Sequence, residues 1–139
     1  MKTAIERLID AIGYPDRAPD GASSFVLRVD GAEIAAEVSD GRVVLSYALT
    51  GDDSHLPTLA SYAAGRMLRE DAALAHGGGA ADGGRGAFLW QSAPSDSDAH
   101  GLLRLFETFM DSCDWWRARV EALAGREEAL PPETMMIRP

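Results

Sequence analysis

Cysteine is almost missing from this 139-residue chain: Cys113 stands alone, so no intrachain disulfide forms and no cysteine-rich metal cluster is available. A lone thiol fits a reducing compartment. Basic residues are also scarce. Thirteen Lys and Arg face 22 Asp and Glu, and the formal charge of −9 argues against nucleic acid or an anionic membrane as the partner. No stretch approaches the ~20 apolar residues of a membrane span. Residues 1–12 alternate charged with apolar positions and lack the continuous apolar core of a signal peptide, so the expected location is the cytoplasm.

The motifs of common chemistries are absent as well. His55, His76 and His100 occur in neither an HxxxH nor an HExxH pattern, and no serine sits in a GxSxG elbow. The glycine run at residues 77–86 has no GxxxxGK[ST] signature, and it leads into Ala87, Phe88, Leu89 and Trp90, a strand rather than a helix. The carboxylates fall in turns (Asp30, Asp40), on a solvated strand face (Glu33, Glu37) and along a helix (Asp111, Asp114). Solubility accounts for that distribution better than paired acid-base work does. The expectation is a protein that is not an enzyme and uses no metal or other cofactor.

What is present is apolar patterning. Hydrophobic residues make up 46% of the chain, enough for one core at this length. From residue 101 to 123, Leu102, Phe106, Phe109, Cys113, Trp116, Val120 and Leu123 recur at alternating spacings of four and three, one stripe of a long helix. Leu103, Leu105, Met110 and Trp115 widen that stripe. Trp115 and Trp116 diverge by about 100° on a helix, so only one of them points fully inward. Gly125 is placed to close the helix.

Nearer the start, Thr3 and Glu6 have capping-box spacing, and Ile5, Leu8, Ile9 and Ile12 share a helix face that ends at Gly13 and Pro15. Three alternating runs follow: Phe25, Leu27, Val29; then Ala32, Ile34, Ala36, Val38; then Val43, Leu45, Tyr47. Asp30-Gly31 and Asp40-Gly41 separate them, and both pairs tolerate the positive φ of tight hairpins. An antiparallel meander is the reading.

Asp52, Asp53 and Ser54 supply cap acceptors, and a helix is expected from Leu56 to about Ala75 with Leu59, Met67, Leu68 and Leu74 inward. Its neighbours Tyr62, Ala64 and Gly65 suit either close packing on the sheet or a second buried surface. Ala93-Pro94 is expected to break the strand that starts at Ala87. The order reads α-β-β-β-α-(β)-β-α, an α+β domain with helices on an antiparallel sheet. The domain spans residues 1–125, and residues 126–139 form a mobile tail.

Three passages carry a family likeness. They are the opening amphipathic helix with Phe25-Val-Leu-Arg-Val-Asp-Gly, then Leu56-Pro57 leading to Leu59, Met67 and Leu68, and finally Phe106-Glu-Thr-Phe-Met-Asp-Ser-Cys-Asp-Trp-Trp-Arg. Over residues 1–124 the chain resembles the class I chaperones of bacterial type III secretion, the Tir-chaperone-like group. The likeness rests on apolar spacing rather than on invariant residues. It implies a homodimeric helix-sheet sandwich in the cytoplasm that binds the extended N-terminal segment of a secreted effector by strand addition and pocket filling. Carried over by position, Ile5, Leu8, Ile9 and Ile12 would form the groove helix, and Phe25, Leu27, Val29 and Ile34 the adjoining sheet. Leu59, Tyr62, Ala63, Arg66 and Met67 would lie at the dimer interface. The featureless residues 77–86 depart from the family, which has a regular strand pair there. A small regulatory or adaptor protein of the same fold, unconnected with secretion, would show the same patterning.

Overall fold

A computed structural model describes residues 2–50, 56–66, 72–76 and 86–129. The elements run α1 (Ala4–Ile12), β1 (Ser24–Val29), β2 (Ala32–Ser39), β3 (Arg42–Ala48), α2 (Leu56–Arg66), β4 (Ala73–His76), β5 (Ala87–Pro94) and α3 (Ala99–Ala129). The strands make one antiparallel sheet in the order β1-β2-β3-β5-β4. The α+β architecture and the order of its elements are those expected from the sequence.

The local causes are visible at the ends of the elements. Thr3 Oγ1 accepts the Glu6 amide at 3.2 Å, satisfying one of the free donors of the first turn of α1. Gly13 (φ 70°) closes the helix in the left-handed conformation, with the Gly13 amide on the Asp10 carbonyl and the Tyr14 amide on the Ile9 carbonyl. Both hairpins use paired positive φ, 50° and 80° at Asp30 and Gly31 and 51° and 73° at Asp40 and Gly41. Those angles match the right-handed twist of the flanking strands.

Alternation then assigns the two sheet faces. Leu27, Ile34, Val43, Leu45 and Leu89 point inward and are fully buried, together with Ile5 and Leu8 of α1 and Leu102, Phe109 and Cys113 of α3. The opposite face presents Val26, Arg28, Glu33, Glu37 and Trp90, all exposed. Gln91 Nε2 donates to Thr108 Oγ1 at 2.8 Å and pins β5 to α3. Arg7 donates to the carbonyls of Ser95 and Ser97, fastening α1 to the link between β5 and α3.

Several boundaries differ from expectation. The helix expected to reach Ala75 is described as far as Arg66, and Ala73–His76 is strand β4, paired with β5 through Leu74 opposite Leu89. The bracketed strand therefore precedes the glycine run instead of lying in it. β5 passes Ala93 and ends at Pro94, which faces Arg42 at the sheet end where a missing amide costs little. Gly125 does not stop α3, which continues to Ala129. A mid-helix glycine costs about 1 kcal/mol relative to alanine, too little to end a helix held by its core face. Residues 126–129 accordingly continue α3. The caps at Asp52, Asp53 and Ser54, the positions Met67 and Leu68, residues 77–85 and residues 130–139 lie outside the described residues.

Candidate functional site

The first and last strands of the sheet order, β1 and β4, are its edges, and β1 is the edge that Tyr14, two residues past the end of α1, touches. In a two-residue hairpin the residues flanking the turn exchange both backbone hydrogen bonds. Val29 and Ala32 form that pair, so Leu27 with Ile34 and Phe25 with Ala36 repeat it. The intervening residues Ser24, Val26 and Arg28 turn their N–H and C=O groups away from β2. The Arg28 amide donates to the Tyr14 hydroxyl at 2.9 Å, which confirms the phase. Among the described residues the outward backbone groups of Val26 have no partner, and Val26 is 52% exposed. Unpaired, hydrophobic edge backbone is a template for another strand.

The expected binding residues divide by burial. Ile5, Leu8, Leu27 and Ile34 are wholly buried and Ile9 is nearly so, all within the core. They support the edge from beneath. Ile12, Phe25 and Val29 are half-buried and lie at the margin of the core. The Tyr14 ring packs edge-on against Phe25, with centroids 6.1 Å apart and planes at 83°. The accessible apolar surface at this edge therefore consists of Ile12, Tyr14, Phe25, Val26 and Val29. Patterning missed Tyr14 and Val26. The signal for Val26 was present, an apolar residue out of phase on the solvated side of an alternating strand.

A second cluster joins α2 to α3. Leu59 is buried, while Tyr62 and Ala63 are half-buried beside it. Tyr62 meets Trp115 edge-on at 6.2 Å and Trp116 at 6.5 Å, and the Arg119 guanidinium lies 4.5 Å from the Trp115 ring centroid. Trp116 is the inward tryptophan, at 1% exposure, and Trp115 is half-buried. Arg66 ends α2, and Met67 lies outside the described residues.

Burial pushes the Cys113 thiol up to about 12, assisted by Asp114 and opposed by Arg117, so the sulfur stays protonated near neutrality. Burial likewise raises Tyr47, against the lowering effect of Arg117. Among the described residues no three His, Cys, Asp or Glu side chains are grouped to hold a metal, and no helix is long and apolar enough to cross a membrane.

No family model matches the chain, and no curated protein matches it in sequence. Solved structures do match it in fold. A chain from the structure of the HopA1-SchA chaperone-effector complex superposes with a TM-score of 0.62 at 15% identity, over 83% of this chain and 91% of that one. A chain from the crystal structure of the ExsC-ExsE complex gives 0.61 at 14% identity, over 83% and 89%. The chain thus shares its fold with a chain of a chaperone-effector complex and with one of the ExsC-ExsE complex, a fold in keeping with the likeness read from apolar spacing. At such identities the agreement concerns the fold alone.

Proposed function

We propose that this protein is a type III secretion chaperone, which holds the extended N-terminal segment of a secreted effector in the bacterial cytoplasm and keeps it soluble and competent for secretion. The observation that carries this reading is the open β1 edge, with unpartnered backbone at Val26 between the half-buried Phe25 and Val29. An extended segment laid along β1 gains main-chain hydrogen bonds that depend little on its sequence. Its alternate side chains meet Phe25, Val29, Tyr14 and the end of α1 on one side and Val26 on the other. Selectivity comes from those apolar contacts.

The HopA1-SchA likeness supports the reading, because that structure is a chaperone bound to its effector. The charge of −9 supports it too, since an acidic surface suits a basic or aggregation-prone client. On this reading the protein works by binding rather than catalysis, without cofactor, nucleic acid or membrane. It is a homodimer whose interface includes Tyr62, Ala63 and Arg66 of α2 together with Met67, with the buried Leu59 supporting them from the core.

The test is capture of the native partner from the cytosol, followed by proteolysis of the complex. The expected result is a larger protein whose protected fragment is a short N-terminal segment lacking a fold of its own. A partner bound through a folded domain would favour the adaptor reading instead.

A further inference from the structure

We propose that Tyr14 is a latch on the β1 edge, a positioning residue that stops an added strand at Val26 and so sets its register. The inference rests on the strand-addition reading above and deepens it.

Three contacts hold Tyr14 in place. The left-handed closure at Gly13 fixes its backbone, with the Tyr14 amide 3.1 Å from the Ile9 carbonyl. The ring packs edge-on against Phe25. The hydroxyl accepts the Arg28 amide at 2.9 Å. That amide belongs to the outward series Ser24, Val26, Arg28, whose members recur every ~6.8 Å along the strand. With Arg28 already satisfied, an incoming strand finds free donors only at Val26 and Ser24. Pairing as far as Arg28 requires displacing the hydroxyl, which exchanges one hydrogen bond for another and forfeits the ring contact. The added strand therefore ends beside Val26. The same contact shortens the open edge available to a second copy of this chain, a common protection against edge-to-edge association.

The test uses the full chain, wild type and Tyr14→Phe, each with and without a probe strand of sequence KVTVRITK fused at the N-terminus through a long glycine-serine linker. Tethering supplies a high effective concentration of strand. Tyr14→Phe keeps the ring on Phe25 and removes only the oxygen. Amide hydrogen exchange at Val26 and Arg28 is the readout. Without the probe, Tyr14→Phe should speed exchange at Arg28 about tenfold or more and leave Val26 unchanged. With the probe, wild type should slow at Val26 with no change at Arg28, whereas Tyr14→Phe should slow at both. Protection at Val26 in both proteins, with identical exchange at Arg28, would overturn the latch and leave strand addition standing. A probe that protects Val26 in neither protein would overturn strand addition and the latch together, because the opened edge of Tyr14→Phe would have paired.

Discussion

Replacing Ile9 by aspartate separates a core residue from a client-facing one. Ile9 is 5% exposed and sits on the same face of α1 as the wholly buried Ile5 and Leu8. Removing its burial costs about 2–3 kcal/mol. The new carboxyl has no water, so it stays protonated. Holding an aspartate neutral at pH 7 against an unfolded pKa near 3.9 costs about 4 kcal/mol more. Together these take roughly 6–7 kcal/mol from the ~5–15 kcal/mol that a small domain has, leaving Ile9→Asp marginal or unfolded at neutral pH. The folded variant binds one proton more tightly than its unfolded chain does, so its stability falls as pH rises above the unfolded pKa. At about pH 4.5 the protonation cost shrinks below about 1 kcal/mol, and the loss relative to wild type falls to about 3–4 kcal/mol. Urea unfolding followed by circular dichroism, with both proteins at both pH values, measures these differences. A variant with the wild-type midpoint at pH 7 would refute the placement of Ile9 in the core and return the face of α1 to the binding surface.

Other outcomes follow from particular residues. Cys113, buried with its thiol pushed up to about 12, should resist a thiol reagent at pH 8 in the native protein and react at once in urea; rapid native labelling would contradict its burial. Gly31→Ala should cost about 1 kcal/mol or more in denaturant unfolding, because φ is +80° there while an added Cβ meets nothing within 4 Å, so the penalty is backbone conformation alone. The homodimer proposal predicts twice the chain mass in light scattering and an unfolding midpoint that rises with protein concentration; a monomer mass across a wide range would remove it.

The sequence makes some of this structure plain and hides the rest for physical reasons. The meander was legible because Leu27, Ile34, Val43 and Leu45 alternate strictly and Asp-Gly pairs mark both turns, so local signals agree with the tertiary answer. The stripe on α3 was legible for the same reason. Ala73–His76 misled, since four residues with a single large apolar side chain fit a helical spacing as well as a strand. Their state is set by pairing with β5, a contact invisible in the local sequence. The site divided in the same way. Residues 5, 8, 9, 27 and 34 announced their apolar character, but whether such residues face a client or a core depends on what lies over them. The Tyr14–Arg28 bond joins a helix cap to a strand edge fourteen residues away, and no periodicity signals that.

The most direct test of the central claim is partner capture by the wild-type protein beside Val26→Pro. Proline at this outward position removes an amide that β2 does not use, so the ladder and the fold should survive, while a strand added to the edge loses its hydrogen bond to the Val26 amide and meets a ring in its place. The account predicts that wild type retains a larger protein by an extended N-terminal segment and that folded Val26→Pro retains at least tenfold less of it. Equal retention of the same partner by both proteins would contradict binding along the β1 edge.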